Sequence, residues 1–150
     1  MTKEIEALMK PGKLSWGGFL GENEKLDEVL KADDKTIKKL GVTHEQIADR
    51  IEYFIKTLNY SPSEKGKLID GKYLVGGVSY RGGQDCPWRD AGFMMPYSSM
   101  DLFVENQELG ERLNFPGGIV HLIREHQFYE GEESPYRVDP KHAVRILGIK

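Results

Sequence analysis

Apolar positions at helical spacing define the clearest element of the chain, which follows Thr43. Apolar side chains recur there every three or four residues, and charged side chains occupy the opposite side. The apolar positions are Ile47, Ile51, Phe54, Ile55 and Leu58. Thr43 and Gln46 fit a capping box, in which each side chain accepts the other residue's backbone N–H. The pattern predicts a helix that begins after Thr43 and ends before Pro62.

Shorter helical patterns precede this helix. Lys3–Lys10 is a helix candidate that Pro11 stops. Glu22–Lys31 carries an amphipathic stripe and predicts a second short helix. Asp33 and Asp34 are suitable N-caps for a third, which Gly41 would end.

The apolar pattern changes to strand-like segments after Gly66. Lys72–Tyr80 is rich in β-branched and aromatic residues, and Ser99–Glu105 alternates between apolar and polar positions. Both are predicted strands, with Glu111–Phe115 as the hairpin partner of the second. The Gly76-Gly77 pair in the first strand indicates a bulge or a close approach of another backbone.

Two helical patterns follow the strands. Ile119–Tyr129 places apolar residues on one face, and Lys141–Leu147 follows an Asp139-Pro140 start signal. The order of elements predicts the α+β class, with N-terminal short helices, a small antiparallel sheet, and C-terminal helices packed on it. At 150 residues, the expectation is a single globular domain over residues 1–150.

Composition and charge exclude several classes of protein. The net charge of −3 comes from interleaved acids and bases, without the basic stripe that nucleic-acid binding needs. Apolar runs fall short of the ~18 residues of a membrane span, and the N-terminus lacks a signal-peptide pattern. A lone cysteine forms no internal disulfide, so the expected location is the cytoplasm.

The stretch Gly76–Gly92, GGVSYRGGQDCPWRDAG, has no secondary-structure period. Its glycines have the spacing of a phosphate-binding P-loop, but Gly83 and Gln84 occupy the positions where that motif requires a lysine and a serine or threonine. An aperiodic segment dense in glycine and charge, between periodic elements, is typical of a binding loop. The leading hypothesis is therefore a non-enzymatic domain that binds a small molecule or a protein through loop 81–92. Its candidate ligand-binding residues are Arg81, Asp85, Trp88 and Arg89.

Cys86 is the centre of a competing, hydrolase-like hypothesis. If the loop folded back onto the Ile119 helix, Cys86 could meet His121 or His126 as a zinc site or as a thiol–imidazole pair. The two histidines are five residues apart and point about 140° away from each other on a helix, unlike the i, i+4 pair of a helical zinc motif. The alternative for Cys86 is a small buried side chain under the loop. A third hypothesis makes Trp16, Phe19 and Trp88 anchors of an assembly interface.

Overall fold

The structure is a computed structural model that describes residues 2–15, 17–90 and 94–149. Within these ranges the chain forms five helices and one four-stranded antiparallel sheet, so the α+β prediction is confirmed. The elements are α1 (Thr2–Met9), α2 (Leu26–Leu40), α3 (His44–Thr57), β1 (Lys67–Ile69), β2 (Tyr73–Ser79), β3 (Met100–Asn106), β4 (Glu111–Pro116), α4 (Ile119–His126) and α5 (Pro140–Leu147). None of the helices in the described ranges has the length and apolar character needed to cross a membrane. Trp16, the first of the three proposed interface anchors, lies outside the described residues.

Helix α2 is continuous where the sequence predicts two helices. Its 15 residues include Asp33 and Asp34, which lie in the helix interior rather than at an N-cap. Asp33 is buried there and accepts two hydrogen bonds from the Arg137 guanidinium, each 2.8 Å long. This tertiary ion pair explains why an acidic residue lies inside the helix. From the sequence pattern alone, Asp33 is predicted to be an N-cap, because Asp is favoured at helix starts. Gly41, in the left-handed region at φ 75°, ends the helix as predicted.

Helix α3 has the predicted capping box. Gln46 N donates to Thr43 Oγ1 at 3.1 Å, and Thr43 N donates to Gln46 Oε1 at 2.8 Å. The helix buries its apolar face, and Phe54 lies against Tyr73 of β2 with ring centroids 4.9 Å apart. This ring contact joins α3 to the sheet, and the helix packs more extensively on α4.

The sheet is a meander in the order β1-β2-β3-β4. Its register pairs Val75 with Val104 and Val104 with Leu113, and these three side chains are buried on one face. Strand β1 is an additional edge strand that the sequence did not predict; its three residues are too few to show an alternation.

Gly76 and Gly77 allow a close backbone approach without interrupting the ladder. The β2–β3 register runs unbroken from Tyr73 to Ser79. A Cβ atom on Gly77 would lie 2.2 Å from the Asp101 carbonyl oxygen, and one on Gly76 would lie 2.4 Å from that of Ser63. Of the two predicted alternatives, the close approach is therefore correct.

The C-terminal helices begin and end at defined caps. Helix α4 ends at His126 rather than at Tyr129, because Gln127 adopts a left-handed conformation (φ 55°) and its N–H caps the Ile123 carbonyl. Helix α5 begins at Pro140, with Asp139 Oδ2 accepting from His142 N at 3.1 Å as the sequence predicts. Helix α4 packs on α3, whereas α5 packs on β3 and β4.

Candidate metal centre

Helix α4 supplies two histidines to the candidate site. Ile119, Leu122 and Ile123 are buried and anchor the helix, which leaves His121 and His126 partly accessible at its edge. Their imidazole centroids are 5.6 Å apart. The sequence predicts that the two histidines diverge by about 140°, and this angle describes their Cα–Cβ directions. The Nε2 atoms lie several bonds farther out, so both can still reach one carboxylate, that of Asp90.

A tight turn in loop 81–92 supplies the other two side chains. Arg89 N donates to the Cys86 carbonyl oxygen at 2.8 Å, and Pro87 occupies the second position of this turn, where proline is favoured. The turn brings Asp90 back toward Cys86, which is buried with 2% of its surface exposed. The sequence C-P-W-R therefore carries a local signal that places a carboxylate beside the thiol.

Asp90 joins the two halves of the site. Its Oδ1 lies 2.9 Å from His121 Nε2, and its Oδ2 lies 2.7 Å from His126 Nε2. One potential ligand atom from each of Cys86, Asp90, His121 and His126 lies within 4.8 Å of all the others. The structure thus brings the predicted Cys86 together with both histidines, and it adds Asp90, which the sequence indicates only as one of the charged residues that could brace the loop.

The ring nitrogen of His126 is the least satisfied atom of this cluster. Among the described residues, Nε2 is a buried side-chain nitrogen without a hydrogen-bond partner. It lies 2.7 Å from Asp90 Oδ2, a short charge contact that does not meet the geometry of a hydrogen bond. A buried nitrogen in this state is costly unless another group meets it. A metal ion among the four side chains would be such a group.

The electrostatics of the cluster favour metal-ligand protonation states at two positions. Burial opposes ionisation of Asp90, but hydrogen bonds from Cys86 and His121 outweigh it and lower the pKa of Asp90 to about 2. Burial lowers the pKa of His126 despite the attraction of Asp90, which favours the neutral imidazole that binds metals.

The Cys86 thiol is held protonated when no cation is present. Burial, together with the hydrogen bond to Asp90, raises its pKa to about 12. This environment disfavours the thiolate that a thiol–imidazole pair needs at neutral pH. A bound cation reverses this preference, because a coordinating thiol is deprotonated.

The remaining predicted loop residues divide into one inward and three outward side chains. Trp88 is half-buried and stacks on His126, whereas Arg81, Asp85 and Arg89 are exposed. Among the described residues, none of the three exposed side chains takes part in an ion pair.

Comparisons of the chain with protein-family models, with curated protein sequences and with solved structures find no match.

Proposed function

We propose that the protein binds one zinc ion through Cys86, Asp90, His121 and His126, and that the ion fastens loop 81–92 to α4. The carrying observation is that the four donor atoms lie within 4.8 Å of one another although the loop and the helix are separate in sequence. Zinc bond lengths imply donor-to-donor distances of about 3.3–3.8 Å in a tetrahedral site. The two Asp90–imidazole contacts, 2.9 and 2.7 Å long, would lengthen by about 1 Å or less, and donor pairs near the 4.8 Å limit of the cluster would shorten by about 1 Å.

The donor set selects the metal. One sulfur, two imidazole nitrogens and one carboxylate oxygen match the mixed ligands of zinc and of similar transition metals. Magnesium and calcium favour sites made of oxygen ligands only, which this cluster does not offer. Zinc is therefore the metal that the site favours over the hard cations.

A simple aspartate–histidine ion pair, the alternative to a zinc site, accounts for only part of the cluster. It explains the 2.9 Å contact between Asp90 Oδ1 and His121 Nε2. It does not explain why a buried thiol and an unpartnered nitrogen of His126 converge on the same carboxylate. One ion among them would give the His126 nitrogen a partner and account for the convergence of all four groups.

A closed, four-ligand site is better supported than a hydrolytic one. Hydrolysis requires an open coordination position for water, which Asp90 would have to vacate. Asp90 instead contacts both imidazoles, and its lowered pKa keeps it ionised as a ligand. A closed site gives the loop a fixed shape and presents Arg81, Asp85 and Arg89 outward, where they are available to a small-molecule or protein partner.

The test is zinc stoichiometry and affinity in ligand variants. Wild-type protein equilibrated with zinc and then desalted should retain one equivalent by elemental analysis. In competition with a chromophoric chelator, Cys86→Ser, His121→Gln and Asp90→Asn should each weaken zinc binding by more than the 10–100-fold typical of outer-shell partners. His142, exposed on α5, provides the matched control His142→Gln, which should bind as wild type does. Absence of stoichiometric zinc, or equal affinities in His121→Gln and His142→Gln, would contradict the proposal.

A further inference from the structure

A second candidate site is a cavity of about 370 Å³ between the start of α4, the loop before β3 and the segment after α4. Its volume lies in the range of small-molecule sites. Its apolar wall comprises Phe19, Met95, Ile119 and Leu122. The cavity shares no lining residue with the Cys86, Asp90, His121 and His126 cluster, so this inference stands or falls independently of zinc binding.

Glu130 is a buried acidic residue in the lining of this cavity. The residue is only 1% exposed, and among the described residues the partner of its carboxyl group is Ser134, whose hydroxyl donates to Oε1 at 2.8 Å. Its backbone has a φ of 69°, a conformation unusual for a residue with a side chain. Arg137 holds that backbone by donating from Nη1 to the Glu130 carbonyl oxygen at 2.7 Å. The surrounding structure thus fixes a buried acidic residue in the lining of the cavity.

The charge of the lining excludes anionic ligands. Asp101 is exposed at the rim, where the Tyr80 hydroxyl donates to its Oδ1 at 3.3 Å. Among the described residues that line the cavity, none is Lys, Arg or His. A cavity lined by two acidic residues and apolar walls, with no basic residue among the described lining, is complementary to a cation with an apolar body.

We infer that this cavity binds a small organic ammonium compound, whose charged group pairs with Glu130 and whose apolar body lies against Phe19, Ile119 and Leu122. Burial raises the pKa of Glu130 to about 8, so the empty cavity holds mainly a neutral acid. An ammonium group supplies the opposite charge that restores the carboxylate, since a nearby cation favours the ionised form. An anionic carboxylate ligand would face Asp101 and the buried acid without a compensating cation.

Three probes of one size and different charge test the inference: benzylammonium, benzyl alcohol and benzoate. Calorimetric or NMR titration at neutral pH should show saturable benzylammonium binding at least about tenfold tighter than that of benzyl alcohol, with benzoate weakest. Glu130→Gln should remove the preference for the cation. Glu132→Gln removes an exposed carboxylate two residues away and should retain it.

The outcomes separate clearly. A wild-type protein that binds none of the probes saturably, or that prefers benzoate, overturns the inference, as does a cation preference that persists in Glu130→Gln. If that variant fails to fold, the inference is tested instead by the methyl chemical shifts of the wild-type protein upon addition of benzylammonium. Benzylammonium should perturb Ile119 and Leu122, and perturbation confined to other methyl groups overturns the inference.

Discussion

Trp88 lies flat against the imidazole of His126, with ring centroids 3.9 Å apart and ring planes 6° apart. The indole also meets Phe128 edge-on at 5.7 Å, so the stack is anchored in the core. A stacked imidazole has a fixed ring plane, and this plane limits where its Nε2, 2.7 Å from Asp90 Oδ2, can lie. One loop residue thus both connects loop 81–92 to α4 and orients a proposed zinc ligand.

Replacing Trp88 should weaken the zinc site without removing a ligand. We expect Trp88→Ala to lower zinc affinity by about tenfold or more, in the range of other orienting residues. It should also lower the free energy of unfolding by about 2 kcal/mol, less than for a fully buried tryptophan. Trp88→Phe keeps an aromatic ring and should lose less of both. Chelator competition and denaturant unfolding measure the two effects, and wild-type zinc affinity in Trp88→Ala would refute the orienting role.

Glu130 should make the stability of the protein depend on pH. Its pKa is raised by burial from 4.5 to about 8, so between these values the folded chain holds a proton that the unfolded chain has lost. The free energy of unfolding should then fall as pH rises across this interval, by up to about 1.4 kcal/mol per pH unit from this group. In Glu130→Gln this contribution is absent, so the variant should gain stability relative to wild type between pH 5 and pH 8. Urea unfolding at several pH values tests this, with Glu132→Gln as the control; parallel wild-type and Glu130→Gln profiles would contradict it.

The buried ion pair between Asp33 and Arg137 should be costly to break. Two hydrogen bonds of 2.8 Å join the groups, and removing the carboxylate would leave a largely buried guanidinium without its main partner. We expect Asp33→Ala to lower the free energy of unfolding by about 3–5 kcal/mol. Asp27 is exposed in the first turn of the same helix, and Asp27→Ala should cost less than about 1 kcal/mol. Denaturant unfolding of both variants measures the difference, and equal losses would show that the ion pair contributes nothing specific.

Gly77 should tolerate no side chain. Its φ of 153° is rare for residues with a Cβ, and that atom would lie 2.2 Å from a backbone oxygen that the ladder holds in place. We expect Gly77→Ala to destabilise the fold by about 3 kcal/mol. Gly82 also has a positive φ, 82°, but its Cβ would meet open space, so Gly82→Ala should cost only about 1 kcal/mol. Thermal unfolding of both variants distinguishes steric overlap from backbone strain.

Local signals in the sequence were sufficient for much of the fold. The Thr43 capping box, the Asp139-Pro140 start and the Gly41 stop each depend on neighbours within a few residues. The continuity of α2 was missed because Asp33 is explained by Arg137, which lies 104 residues away. Long-range pairs of this kind leave no periodic pattern in one sequence.

The candidate site was predictable only in part, because its residues, too, are brought together by long-range contacts. Residue type alone indicates Cys86, His121 and His126, and their separation in sequence requires that loop 81–92 meet α4. Asp90 was not assigned, because only the folded chain shows one carboxylate between two imidazoles. The sequence does not indicate Glu130, because its segment is joined to residues distant in sequence: Gly131 N donates to the Phe19 carbonyl oxygen and Ser134 Oγ to that of Gly18.

Cobalt substitution tests the central claim most directly, because the absorption spectrum of Co²⁺ reports both its ligands and its geometry. Titration of metal-free protein should saturate at one equivalent, with the intense thiolate-to-metal band of a Cys86 ligand and the visible bands of a tetrahedral centre. Zinc should then displace the cobalt and abolish both. A titration without a thiolate band, or with only the weak spectrum of a hydrated ion, would contradict the proposed centre.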